Sequence, residues 1–242
     1  MSEASMLTRS AAAALACAGT LLLHPASAWA QQTLNFSLGY FTVRGEDARV
    51  ERDVLNSHRN LLVFDVADFN GAAVGAEWLV PIGNFIEGGA GIGFSRRTVP
   101  SVYDAFVDAD GSEVDQDLRL RIVPIALTMR VLPLGQTSLV QPYVGGGVGI
   151  LNWRYSESGE FIDFARRNAI FREQYVGSGS ATGPVVLGGI RFAGDVLAGG
   201  FEIRYQSAAA DLDGGFDAVD PGLRIDLGGW TYQATVGWRF GR

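Results

Sequence analysis

The sequence predicts an all-β chain, an eight-stranded antiparallel transmembrane β-barrel, on three observations. Apolar and polar residues alternate with period two in eight segments beyond residue 31. The connections between those segments are alternately short and long, as in a barrel threaded into a membrane from one side. The polar face of the alternation carries charges together with much of a glycine excess, 32 glycines against 8 prolines.

Composition narrows the classes first. A chain of 242 residues that is 48% hydrophobic and 19% charged folds rather than staying disordered. All 19 basic residues are arginine and the net charge is −7, which excludes a nucleic-acid partner because phosphate binding requires a basic face. Beyond residue 31 no run reaches the roughly 18 apolar residues of a spanning helix.

Taken from the N-terminus, Arg9 precedes a small-apolar run over 11–23, and Ala26, Ala28 and Ala30 supply small residues at alternate positions. This is the pattern of a secretory signal, residues 1–30, removed after Ala30, with Ala28 as the alternative cleavage position. Cys17 as the acylated residue of a lipoprotein is the competing reading, but Ala14 stands where leucine is preferred and the apolar run continues past the cysteine. The remaining 31–242 form one barrel domain without cysteine, so disulfides do not stabilise it.

Strands are predicted over 33–43, 71–81, 85–96, 118–131, 139–154, 184–193, 195–206 and 228–240. The last is the clearest: Trp230, Tyr232, Ala234, Val236, Trp238 and Phe240 oppose Thr231, Gln233, Thr235, Gly237 and Arg239. In the fourth, Pro124 suggests a bulge that shifts the faces, and the run Gly145 to Gly147 leaves the phase of the fifth open. Turns near Gly83, Gly135 and Gly194 are short, whereas 44–70, 96–121, 154–183 and 206–226 are predicted as long external loops.

Alternation alone does not say whether the apolar face meets a soluble core or lipid. Glu77, Glu87, Arg130, Arg191, Glu202, Arg204 and Arg239 occupy central or near-central strand positions, mostly on the glycine-rich face. An arginine facing lipid at the bilayer midplane costs about 2–4 kcal/mol, so these seven are assigned to a lumenal ion-pair network. Aromatics near strand ends, namely Tyr40, Phe41, Trp78, Phe94, Trp153, Tyr155, Phe192, Tyr205, Trp230, Trp238 and Phe240, read as interfacial girdles. With the signal, these features outweigh a soluble barrel or sandwich.

The stretches Asn70-Gly71-Ala72-Ala73-Val74-Gly75-Ala76-Glu77-Trp78 and Gln141-Pro142-Tyr143-Val144-Gly145-Gly146-Gly147-Val148-Gly149, with the aromatic closing strand, resemble the small eight-stranded outer-membrane β-barrel proteins of Gram-negative bacteria, the OmpA, OmpX and OmpW group. The resemblance spans the chain beyond the signal and implies location in the outer membrane, contact with lipid and lipopolysaccharide, and insertion by the barrel-assembly machinery. Two departures stand out. Gly241 and Arg242 follow the terminal aromatic that resembles the assembly signal, and no peptidoglycan-binding domain follows the last strand.

The catalytic inventory is poor, and no enzymatic activity is expected. Beyond the signal the sequence retains one histidine, His58, in a polar stretch of the first long loop. It reads as solvated; the alternative is a base for lipid or peptide hydrolysis, although neighbouring Ser57 does not make a triad by adjacency. No cofactor is expected, and histidine or cysteine metal sites lack ligands. Asp108-Ala109-Asp110-Gly111 with Glu113, Asp115 and Asp117 partly matches a calcium loop, but Phe106 holds the first ligand position, and Asp110-Gly111 reads more simply as a hairpin turn.

The four long loops together carry a net charge of −8 against +1 for the rest of 31–242, and the fourth, with Asp211, Asp213, Asp217, Asp220 and Asp226, is the most acidic. A solvated loop surface accounts for this; divalent bridging to lipopolysaccharide phosphates is the functional alternative. In the third loop, Trp153 to Glu157 and Phe161 to Arg167 either contact an extracellular ligand or extend the strands and pack there. The expected role is a non-enzymatic envelope or surface-binding protein, with a narrow channel for small or apolar solutes as the alternative.

Overall fold

The computed structural model describes residues 31–108, 110–212, 215–216 and 222–241. The expected signal, with Cys17, Ala28 and Ala30, lies outside the described residues, as do Ala109, Asp213, Asp217 and Asp220. Eight strands close into one antiparallel barrel. They are β1 (Gln32–Val43), β2 (Gly71–Pro81), β3 (Ile86–Val107), β4 (Glu113–Val131), β5 (Val140–Asp163), β6 (Ala169–Ala193), β7 (Leu197–Gln206) and β10 (Gly229–Phe240). A small pair, β8 (Ala209–Asp211) and β9 (Arg224–Asp226), stands apart from the barrel wall. Closure is made by β1 against β10, in register from Gln32↔Phe240 to Val43↔Gly229.

Alternation works as predicted within a band of the wall. On β4, Ile125, Leu127, Met129 and Val131 are exposed, while Ala126, Thr128 and Arg130 point inward. On β10, Trp230, Tyr232, Val236 and Trp238 face out. With exposed apolar residues of the other six strands, such as Leu38, Val74, Ile92, Val148, Val186 and Phe201, they form an apolar belt around the barrel, a surface suited to hydrocarbon. Pro124 does not introduce a bulge: Ile92↔Ile125 and Ser95↔Ile122 keep one register across it, and its ring lies over Gly93, where an added Cβ would approach Cγ to 3.0 Å. The glycine run of β5 keeps phase as well, with Gln141, Tyr143, Gly145, Gly147 and Gly149 inward.

Two of the predicted loops are mostly strand. β3 to β6 continue well past the belt, so the second and third external connections are long hairpins rather than irregular loops. The physical reason is an inversion of polarity along unbroken strands. Beyond Ile122, the inward positions Leu120, Leu118 and Val114 are apolar and buried, whereas outward Arg121, Asp117 and Asp115 are charged and exposed. β5 inverts at the same level, with Leu151, Trp153 and Tyr155 buried and Asn152 and Arg154 exposed. Above this level the strands meet water outside and an apolar core inside. Trp153 and Tyr155 are therefore not girdle residues, and Phe41 is not one because it falls on the inward phase of β1; all three are buried, whereas Tyr40, Trp78, Phe94, Phe192, Trp230, Trp238 and Phe240 lie on the outer face.

The first and fourth external connections fold into the mouth. Residues 44–70 carry a short helix, α1 (Val54–His58), capped by Asp53, whose carboxylate accepts from the Leu55 and Asn56 amides. Residues 61–63 pair along the extension of β3, where β2 no longer covers its edge. A lipid-facing arginine is expected to reveal the belt. Leu127→Arg is expected to cost about 2–4 kcal/mol in reversible denaturant titrations of the barrel in lipid vesicles, whereas Arg121→Leu, above the polarity inversion, is expected to change stability by less than about 1 kcal/mol.

Candidate functional site

The lumen is filled in two layers of opposite character. The lower layer lies within the belt and gathers six of the seven charges predicted for it, three glutamates and three arginines. Arg130, 1% exposed on β4, is the centre. It pairs with Glu77 of β2, with Glu202 of β7 at 2.8 Å and more loosely with Glu87 of β3 at 3.6 Å. Arg204 reaches Glu202 at 2.9 Å and Glu77 at 3.2 Å, and Arg191 donates to both oxygens of Glu87 at 3.1 and 2.9 Å. Equal numbers of opposite charges and dense hydrogen bonding meet the condition under which buried ions are tolerated.

Arg239, the seventh predicted charge, does not join this cluster. It sits near the turn end of β10, and its guanidinium donates to the Gly194 carbonyl in the β6–β7 turn, away from the cluster. Side-chain alternation put it on the right face, but its guanidinium is engaged by the turn backbone rather than by a lumenal carboxylate.

Neutral partners complete the layer. Thr128 donates to Glu77, Gln233 to Glu202, and Gln141 accepts from the Arg191 Nε–H. Tyr143 donates to Glu202 at 3.0 Å while its ring lies 4.8 Å from the Arg130 guanidinium carbon. Gln141 and Tyr143 were obscured in the sequence by the open phase of β5; once that phase is known, both fall on the inward face. Glycine leaves the room: at Gly89 an added Cβ would approach Glu77 Oε1 to 2.8 Å, and at Gly189 the Tyr143 hydroxyl to 2.6 Å.

Above the charges lies a cavity of about 60 Å³ between Ser37, Glu77, Ala126 and Thr231, large enough for a few waters. The upper layer then closes the mouth. Val54 and Leu55 of α1, Val66 and Phe69, and Leu212, Leu223, Ile225 and Leu227 of the fourth connection are buried against Leu118, Ile122, Leu151 and Tyr155. Each fully buried aliphatic side chain contributes roughly 1.5–3 kcal/mol, so this cap is a true core.

A buried charge cluster ties the two cap segments together, and sequence reasoning missed it. Arg49 forks onto Asp53 at 2.5 and 3.0 Å and donates to the Asp226 carbonyl at 2.9 Å. Asp53 also accepts from the Asp226 amide, and the Asp226 carboxylate takes Arg44 at 2.9 Å and the Val50 and Gly228 amides. Asp226 is therefore no solvated loop charge; its side chain is fully buried. Asp211, by contrast, is exposed opposite Arg224.

His58 is not a solvated loop histidine either. It lies on α1, and its Nδ1 is 2.6 Å from Glu157 Oε1, an oxygen that also accepts from Tyr155 at 2.7 Å. At the tip of the second hairpin, Gly111 closes a turn on the Asp108 carbonyl with φ of 85°, and Asp110 accepts from Ser112 N and Oγ. Those hydroxyl and amide bonds hold the Asp110 carboxyl below its ordinary range. Glu113, Asp115 and Asp117 alternate outward along β4 and do not turn back toward it.

No family model and no curated relative matches the chain. Similar solved structures are small outer-membrane barrels. Neisserial surface protein A is 9% identical, with 87% of this chain and 97% of that one covered and a TM-score of 0.44. The N-terminal β-barrel domain of Pseudomonas aeruginosa OprF is 12% identical, with 87% and 99% covered and a TM-score of 0.39. Ail, the attachment invasion locus protein of Yersinia pestis, gives the same identity, coverage and TM-score. The closed strand ladder and its apolar belt are observed directly in this chain, which is an integral β-barrel of the outer-membrane type.

Proposed function

We propose that the protein is a non-enzymatic outer-membrane anchor that displays a folded external cap, with an envelope-structural or surface-binding role. Lipid and lipopolysaccharide surround its belt, and the barrel-assembly machinery inserts it through the aromatic closing strand. The observation that carries this reading is the double occlusion of the lumen: a paired charge layer inside the membrane and an apolar core over the mouth. A general pore needs a continuous aqueous path, and eight strands leave an interior just wide enough for side chains to fill. The His58–Glu157 pair is held by Tyr155 within the cap wall, a structural use of the groups that hydrolysis would require.

Planar-bilayer recording checks the anchor reading directly. The purified barrel is expected to give no persistent conductance steps; sustained steps that change with Arg204→Ala would instead establish the narrow-channel alternative. For the charge layer, Glu202→Gln leaves Arg130 and Arg204 short of a partner and is expected to destabilise the barrel by about 3–5 kcal/mol in denaturant titration. Arg239→Gln, outside the cluster, is expected to cost less than about 1 kcal/mol.

The cap has its own pH signature. Burial first, then the Glu157 charge and hydrogen bond, push the Tyr155 hydroxyl well above its ordinary value. An opened cap would release that proton near pH 10, whereas the closed cap retains it, so cap stability is unchanged below about pH 10 and falls above it. Near-ultraviolet circular dichroism is expected to show the cap melting earlier as pH rises past that point, with a shallower dependence in Tyr155→Phe.

A further inference from the structure

We infer that the cap contains a binding site for a small neutral aromatic alcohol, a single ring bearing one hydroxyl. Between α1, the β5–β6 hairpin and the fourth connection lies a cavity of about 130 Å³. An apolar cavity of roughly 150 Å³ accepts a benzene-sized guest, so the space suits one ring and is too short for an acyl chain. Its walls are aromatic. Phe161 and Tyr175 meet edge to face at 4.9 Å, and Tyr175 and Phe216 stand 5.9 Å apart, presenting ring faces and edges that favour a further ring. Leu61 and Phe171, both partly exposed, form the outer rim.

One end of the cavity is polar and asks for a donor. Gln116, 2% exposed, donates through Nε2 to the Tyr103 hydroxyl oxygen at 3.2 Å and to the Glu160 carbonyl at 2.9 Å. The second bond fixes the amide, because the flipped orientation would set oxygen against oxygen. Gln116 Oε1 is consequently buried with no hydrogen-bond partner among the described residues, a costly state for a polar atom. A ligand hydroxyl satisfies it. A carboxylate would not, since it offers no proton, and either a carboxylate or a phosphate would bring negative charge against Glu157, which lines the same cavity. The glutamate is already matched by His58 and Tyr155, so no ligand cation is called for. This site is separate from the lumen, and it stands whether or not the anchor reading does.

The test uses the full-length barrel in detergent micelles, p-cresol as the probe and toluene, the same ring without the hydroxyl, as comparator. Calorimetry and saturation-transfer NMR are expected to show saturable one-to-one binding of p-cresol, with toluene about tenfold weaker and benzoate unable to compete. Gln116→Leu is expected to weaken p-cresol about tenfold while leaving toluene unchanged, and Leu61→Trp, which fills the exposed rim, to abolish both. Unsaturable uptake that is equal in wild type and Leu61→Trp would mean micelle partition only and would overturn the proposal. So would equal p-cresol affinity in wild type and Gln116→Leu, since water would then be satisfying the amide. Should Gln116→Leu fail to fold by circular dichroism, the p-cresol to toluene ratio on the wild-type barrel decides by itself.

Discussion

Closure of the β1–β10 seam is the constraint from which the other features follow. In hydrocarbon no water is present to satisfy a backbone N–H or C=O, so a sheet that spans must bond to itself around a ring. Twelve consecutive residues of β1 pair with β10 to accomplish this, from Gln32↔Phe240 to Val43↔Gly229. Eight strands then leave a lumen too narrow for water and side chains in quantity. Inward positions must be small wherever a large neighbour crosses the axis, which is why Gly89 faces Glu77 and Gly189 faces Tyr143. Charges that enter such a space must be matched, and Arg130 is matched by three carboxylates from three different strands. The charge cluster is thus also a cross-brace: Arg130–Glu77, Arg130–Glu202, Arg204–Glu77 and Arg191–Glu87 each join strands that are not neighbours in the wall.

The same strands obey two solvents in succession. Below the level of Ile122 and Trp153, apolar residues face out and polar residues face in; above it the assignment reverses without a break in register. Lipid dictates the first pattern and water the second. The upper half is therefore built like a soluble barrel, and it needs a core to bury its inward face. The first and fourth connections provide one, and Arg44, Arg49, Asp53 and Asp226 hold those two segments to each other.

This inversion also explains how much was legible in the sequence. Strand positions, closure and the inward set of Glu77, Glu87, Arg130, Arg191, Glu202 and Arg204 could be read because period-two alternation is local and the belt has one polarity rule. Applying that rule to the whole chain misplaced Phe41, Trp153 and Tyr155. Trp153 and Tyr155 lie above the inversion, whereas Phe41 falls on the inward phase of β1, where a terminal aromatic does not by itself indicate a girdle. Over 96–121 the charges suggested loops, yet Asp115, Asp117 and Arg121 sit at outward positions of a strand that water bathes. The Arg49–Asp53–Asp226 cluster was not legible at all, since it joins residues more than 170 positions apart through contacts that leave no periodic trace.

The two layers that occlude the barrel differ in how readily they rearrange. A net-neutral charge layer is costly to open one ion at a time, because removing any partner leaves another charge buried. The apolar cap has no such penalty for small local rearrangements of its rings, and its buried electrostatic ties include the Asp226 cluster and the His58–Glu157 pair. Ring packing around Phe161, Tyr175 and Phe216 therefore has room to adapt where the lumen does not. The chemical variety of the barrel lies in its upper half, where a buried amide acceptor and a set of aromatic walls line one cavity.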